Sequence, residues 1–184
     1  LDGSNGYCTC NSLQFFIGFC LTYIFNNNFD FNFYLSVILI LLSINYLFFN
    51  FPKAKIFMGD SGSITIGYII GYLFLVLMLN GNWAVAIALI SYPFLDVSLT
   101  IVRKMRNKKY PWERLFDYYF LRALKASNKN HVKIFNISLV FNLLNLTNVF
   151  IIFYFIFNYF LIISFLLAGI KLYLFNNIIK INTN

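Results

Sequence analysis

Charge is scarce in this chain of 184 residues: only 11% are Asp, Glu, Lys or Arg, and six residues are acidic. In a chain with 60% hydrophobic and 21% aromatic residues and a mean hydropathy of +0.74, that scarcity excludes a soluble domain. A chain of this size cannot bury so much apolar surface in its own core, so a bilayer is the natural solvent. Cysteine is equally sparse. Cys8, Cys10 and Cys20 include one Cys-x-Cys pair but no further Cys or His at ligand spacing, which falls short of a zinc site, and they read as small packing residues. Three prolines and no Gly/Ser-rich run leave no linker and no second soluble domain. The basic region, apolar core and small-residue cleavage site of a signal peptide are absent from the first residues. Because the first methionine is Met58 and Leu1 falls inside a motif, the sequence is expected to be the C-terminal part of a longer protein.

What is present is apolar length. Six segments, at about 7–26, 33–50, 63–80, 83–102, 132–150 and 154–175, approach the roughly 20 residues that cross ~30 Å of hydrocarbon. The expectation is an all-α, polytopic transmembrane helical bundle forming one domain over 1–184, with a basic loop at 103–133. Polar turns at Asn26–Asn28 and Asn80–Asn82 join neighbouring helices as antiparallel hairpins. Of 14 cations, Lys53 and Lys55 share one loop, ten lie between Arg103 and Lys133, and Lys171 and Lys180 close the last segment. If the spans alternate, all fall on one face, which the positive-inside rule makes cytoplasmic. The net charge of +8 thus belongs to a membrane surface that faces anionic lipids or substrates, and nothing points to nucleic acid. Gly67 and Gly71 allow another helix to approach; a homodimer is compatible with this pattern but not specified by it.

The acidic residues carry more information because they are few. Asp2, Asp60, Asp96, Glu113 and Asp117 fall on the basic side, whereas Asp30 lies in an outer turn and is expected to be merely solvated. A carboxylate at the edge of hydrocarbon is costly unless it meets a cation, a metal or water. Asp60 sits in Phe57-Met58-Gly59-Asp60-Ser61-Gly62-Ser63, at the mouth of the third apolar segment. Its simplest role is an N-cap. The flanking glycines, however, allow close backbone approach to a ligand, and a helix N-terminus favours phosphate. A carboxylate and a phosphate share such a site through a divalent cation, and Mg²⁺ characteristically binds one or two carboxylates together with phosphate oxygens.

These residues resemble the signature of the polyprenyl-phosphate N-acetylhexosamine-1-phosphate transferases, glycosyltransferase family 4. Leu1-Asp2-Gly3-Ser4-Asn5-Gly6 resembles the family's Asp-Gly-x-Asp/Asn-Gly loop, and Tyr92-Pro93-Phe94-Leu95-Asp96 before Val102-Arg103-Lys104 resembles its Pro-x-x-Asp helix end. The motifs occur in family order over roughly Leu1 to Lys133. The resemblance implies a multi-pass enzyme of the inner membrane, with its active site on the cytoplasmic face. It would transfer a sugar 1-phosphate from a UDP-sugar to polyprenyl (undecaprenyl) phosphate, releasing UMP, in the synthesis of cell-envelope polysaccharide. Phosphoryl transfer of this kind needs alignment and charge neutralisation rather than covalent chemistry.

By the same resemblance, Asp60 is the ligand of Mg²⁺ (or Mn²⁺) and, with Asp2, catalytic; Phe57 stacks on uracil and Asn5 bonds the uracil edge. Asp96 matches an acidic position of the sugar-transferring branch. The family's paired aspartates would lie upstream of Leu1, so this stretch alone is expected to be inactive. The sequence departs from the family's histidine-containing basic loop, since His131 is its single histidine. His131 is a substrate-binding candidate whose bland alternative is an interfacial residue. Trp112, Leu115, Phe116, Tyr119 and Ala123 draw an apolar stripe, which predicts a short helix at the membrane surface with Arg114, Arg122 and Lys125 near lipid or substrate phosphates; packing of that helix against the bundle is the alternative. Two other readings stay open: a transporter or channel fragment, favoured only by the asparagines of the fifth span, and a non-catalytic remnant of the transferase.

Overall fold

A computed structural model describes residues 3–108, 110, 118–155 and 158–181. Among the described residues seven α-helices follow in order: α1 Tyr7–Phe25, α2 Phe31–Asn50, α3 Gly59–Leu79, α4 Trp83–Arg106, α5 Tyr119–Ala126, α6 His131–Phe155 and α7 Leu161–Ile181, the last preceded by a 3-10 turn at Asn158–Phe160. No strand occurs among the described residues. All but α5 are long and apolar enough to cross a membrane, and the chain is a multi-pass membrane protein.

Most expected spans hold, and the differences have local causes. Asp30 is not simply solvated: its carboxylate accepts from the backbone N–H groups of Asn32 (3.0 Å) and Phe33 (3.1 Å), capping α2. α4 continues beyond 102 through Arg103, Lys104 and Arg106, cations that suit the negative end of a helix dipole but depress hydropathy. The largest shift is in α7, expected over 154–175 and found at Leu161–Ile181. The turn between α6 and α7 lies in an aromatic run without glycine or proline, so hydropathy does not mark it. Lys171 is accordingly near the middle of α7 instead of at its end, and it is buried, with 1% of its surface exposed.

α1 forms the axis of the bundle, packing against α2, α3, α4 and α6, while α7 lies against α4, α5 and α6. Two apolar clusters divide the interior. Phe15, Phe16, Phe19 and Tyr23 of α1 meet Leu73 and Leu77 of α3, Val85, Ala88 and Leu89 of α4 and Val149 and Ile152 of α6 toward the Asn80–Asn82 turn. Tyr7, Tyr92, Phe120, Ile134, Leu172 and Phe175 form the second cluster toward the basic end. Gly18 permits α1 to touch α4, because a Cβ there would collide with the Leu89 side chain. α2 and α3 expose most of their apolar surface, burying only Ser36, Ser43 and Asn50 on one and Leu73 and Leu77 on the other, as suits helices bathed in lipid.

Between the clusters runs a polar layer made of Asn11, Ser91, Ser138, Asn142, Asn145, Asn148, Ser164 and Lys171. Asparagines at i, i+3 and i+6 place three amides on the inner face of α6. Asn142 donates to Cys10 O (3.2 Å), Asn145 to Ala88 O (2.9 Å), and Asn148 to Phe160 O (3.0 Å) and Ser164 Oγ (2.7 Å). Side-chain bonds of this type between membrane helices contribute about 0.6–2 kcal/mol each. Asn148→Leu is therefore expected to destabilise the α6–α7 hairpin by about 1–2 kcal/mol, seen as a lower midpoint in denaturant titration of the protein in mixed micelles.

Candidate functional site

The basic end of the bundle gathers three segments that are distant in sequence: the loop before α1, the loop between α2 and α3, and the start of α6. Gly6 adopts φ 70° as it enters α1, and a side chain there would press on Phe135 and Leu47, so the tight entry requires glycine. Buried Asn50 is the clasp. Its Oδ1 accepts the Gly6 N–H and its Nδ2 donates to Ile56 O at 2.8 Å, tying the first loop to the strand of chain that leads into α3. Asn5 Nδ2 adds a second tie, donating to Pro52 O at 3.1 Å. Phe51 stacks on Phe135 of α6 with ring centroids 4.0 Å apart.

His131, the first residue of α6, closes this cluster. Its Nδ1 accepts the Asn5 backbone N–H at 3.1 Å, and Ser4 Oγ lies 3.3 Å from the same nitrogen. An accepting Nδ1 places the neutral ring's proton on Nε2, which faces away from these partners and is available as a donor. His131 is thus more than an interfacial residue, since it is built into the Asn5 loop.

Phe57 and Asp60 follow directly from the Ile56 anchor. Phe57 is 75% exposed, leaving its ring face open. The helix begins one residue before Asp60, with Met58 at the cap position, so Asp60 is in the first turn and is not the N-cap that the sequence allowed. Its carboxylate is exposed and makes no hydrogen bond or ion pair with the described residues. A single free carboxylate at a helix N-terminus is an oxygen donor suited to a hard cation. Among the described residues no cluster of three or more Asp, Glu, His or Cys side chains surrounds it.

The remaining candidates fall elsewhere. Asp96 is fully buried: Oδ2 accepts from Tyr92 Oη at 3.1 Å and Oδ1 from the Tyr119 N–H at 3.0 Å, so its carboxylate is turned into the bundle. Arg122 is half-buried on α5, its guanidinium 6.0 Å from the Tyr119 ring centroid. Asp2 and Arg114 lie outside the described residues, as do Trp112, Leu115 and Phe116 of the apolar stripe. α5 packs against α7 with Phe120, Leu121, Ala123 and Leu124 buried, so the part of the expected surface helix that is described belongs to the bundle. Sequence reasoning missed Ser4 and Asn50. Their signal was available only as a hydroxyl within the first motif and an asparagine ending an apolar run.

One turn into α3, at Ser63, opens a groove of about 610 Å³ between α1, α3 and α4. Phe15, Ile66, Gly67, Ile70, Phe94 and Ile101 line it, giving an apolar channel alongside the bundle that begins near Asp60.

The sequence pattern described as glycosyl transferase family 4 matches residues 1–78, which contain the Asn5 loop, Phe57 and Asp60. A probable undecaprenyl-phosphate N-acetylglucosaminyl 1-phosphate transferase of Bacillus subtilis is 35% identical over 79 residues, covering 41% of this chain and 22% of the relative. An undecaprenyl-phosphate alpha-N-acetylglucosaminyl 1-phosphate transferase of Thermotoga maritima is 33% identical over 119 residues, 63% of this chain and 39% of the relative. A phospho-N-acetylmuramoyl-pentapeptide-transferase of a Nitratiruptor species is 30% identical over 108 residues, 56% of this chain and 29% of the relative. The chain spans well under half the length of these relatives. No solved structure matches it.

The shared acceptor nitrogen gives a direct test of the cluster. Protonation turns both imidazole nitrogens into donors, so the Asn5 N–H loses its acceptor as pH falls through the His131 titration. The Asn5 amide ¹⁵N and ¹H shifts are expected to titrate together with the His131 ring signals, and in His131→Ala the Asn5 shift should not move over the same range.

Proposed function

Starting from a chain whose first 78 residues carry the sequence of glycosyl transferase family 4, we propose that the intact protein transfers a sugar 1-phosphate from a UDP-sugar to polyprenyl phosphate. The products are a polyprenyl-diphospho-sugar and UMP, and the sugar is an N-acetylhexosamine derivative, the class common to the names of its relatives. The observation that carries this reading is the meeting of the Asn5 loop with the chain leading to Phe57 and Asp60 through Asn50, at the basic end of the bundle. In the cell this end faces the cytoplasm of an inner (plasma) membrane protein, as the concentration of cations there supports.

Each residue has a role its geometry permits. Phe57 offers an open ring for the uracil to stack on, and the half-exposed Asn5, tied to Pro52 of the same loop, would bond the uracil edge. The free Asp60 carboxylate would hold Mg²⁺, which when bound neutralises the diphosphate and lowers the repulsion met by an incoming phosphate. His131 Nε2 donates to a phosphate oxygen while Nδ1 stays engaged with the loop. Arg122, with its guanidinium over the Tyr119 ring, adds positive charge on the same side. The prenyl chain of the carrier lies in the groove between α1, α3 and α4, which begins next to Asp60 and continues among apolar side chains. Its phosphate is thereby delivered to the membrane edge where the nucleotide sits.

The polar layer is the observation that favours a transporter, since it adds Lys171 to the asparagines in the interior. The cavity within it amounts to about 10 Å³, the space of a single water at most, and the ammonium already has three acceptors. It is a packed seam and not a passage.

In membranes containing the intact protein, UDP-sugar and polyprenyl phosphate should release UMP in a reaction abolished by EDTA and restored by Mg²⁺. Asp60→Asn is expected to lower kcat by on the order of 10²-fold or more, and Phe57→Ala to act mainly through a higher KM for the nucleotide sugar. Undiminished turnover in Asp60→Asn removes the proposed centre.

A further inference from the structure

Lys171 has no part in the chemistry just described, yet a buried ammonium is among the costliest groups a membrane bundle can carry. Its Nζ donates to Ser138 Oγ (2.9 Å), Asn142 Oδ1 (3.3 Å) and Asn11 Oδ1 (3.4 Å), three acceptors for three protons. All three are neutral. On its remaining side the ammonium lies 3.7 Å from the centroid of the Tyr92 ring and 5.6 Å from that of Tyr7. The hydroxyl of Tyr7 donates to that of Tyr92, and Tyr92 donates in turn to Asp96, the one buried carboxylate among the described residues. The second oxygen of Asp96 receives the N–H of Tyr119, the first residue of α5, so a carboxylate borne by α4 sits at the positive end of a helix that lacks a side-chain cap of its own. From α5, Phe120 stacks on Tyr7 at 4.1 Å and Leu121 occupies the space that a side chain on Gly3 would need. α5 also leads within five residues to His131.

We propose that Lys171, acting through Tyr92 and Asp96, is a positioning residue that fixes α5 and with it the Gly3–Asn5 loop and His131. An apolar residue at this point would be cheaper to bury, because replacing a buried charge pair by hydrophobic groups is commonly neutral or stabilising. The pair fixes one geometry of the basic end. Asp96 can be acceptor to two donors inside the bundle because a cation lies on the far face of the ring that bonds it. Removing the ammonium alone takes from that carboxylate its buried counter-charge among the described residues, so the N–H bond that starts α5 is the first to weaken. The importance of this for catalysis rests on the transferase reading above; the positioning itself does not.

Hydrogen exchange of the intact protein in detergent, read on the peptide covering Tyr119–Ala126, tests the chain of contacts. Lys171→Met should speed exchange in α5 by on the order of tenfold, and adding Asp96→Asn to it should bring the rate back toward the wild type, since the double variant carries no unmatched charge. Tyr92→Phe keeps a ring over the ammonium and deletes only the hydroxyl; it should speed α5 exchange while leaving the middle of α7 protected, and it serves as the readout if Lys171→Met does not fold. Unchanged α5 exchange in Tyr92→Phe, or a double variant that exchanges faster than either single one, overturns the proposal. Failure of the wild-type protein to release UMP overturns the transferase reading and leaves the exchange result standing.

Discussion

Hydrocarbon offers no hydrogen-bond partner, so a polar atom left alone inside the bilayer costs several kcal/mol, and the arrangement of this bundle follows from meeting that demand. Helices satisfy the backbone, and the side chains that remain polar are collected into one layer where α1, α4, α6 and α7 meet. The amides of Asn142, Asn145 and Asn148 reach neighbouring helices, and Lys171 finds acceptors on two of them. This seam separates two apolar clusters and fixes the rotation of α6 about its axis, which nonspecific contacts among Phe, Leu and Ile would leave loose.

The same demand explains why the two carboxylates at the basic end differ. Asp96 is sealed among Tyr92, the Tyr119 amide and the ring-shielded ammonium, so one of its oxygens is engaged by Tyr92 of its own helix and the other ties α4 to α5. Asp60 is exposed at the first turn of α3, where its carboxylate has no hydrogen-bond or ion-pair partner among the described residues. A buried neutral amide, Asn50, orients the loops around Asp60. Donating on one side and accepting on the other, it joins two loops without introducing a charge that would compete for phosphate or metal.

Much of this was written in the chain. The six spans follow from hydropathy because about 20 apolar residues have no other stable solvent, and the end that carries the cations follows from their places in the loops. Asp60 stood out as a carboxylate at the mouth of a greasy segment, whereas Asn5 and Phe57 were singled out by the resemblance of their motifs to a family. Misplacements had physical causes. The α6–α7 turn hides in aromatic residues that hydropathy cannot distinguish from helix, which put Lys171 at a helix end where it could have reached water. Asp30 looked idle because a cap depends on φ and ψ at one residue, which hydropathy does not encode.

The sequence by itself determined the solvent, the number of crossings and which residues could carry chemistry, since these depend on local composition and on residue types. Only the tertiary structure decided which of them meet. That His131 accepts from Asn5 across the chain, that Asn50 clasps two loops, and that Asp96 turns inward to α5 while Asp60 stays open are consequences of helix packing. Contacts between residues dozens to more than a hundred positions apart depend on how side chains interlock in three dimensions, and no local pattern records that.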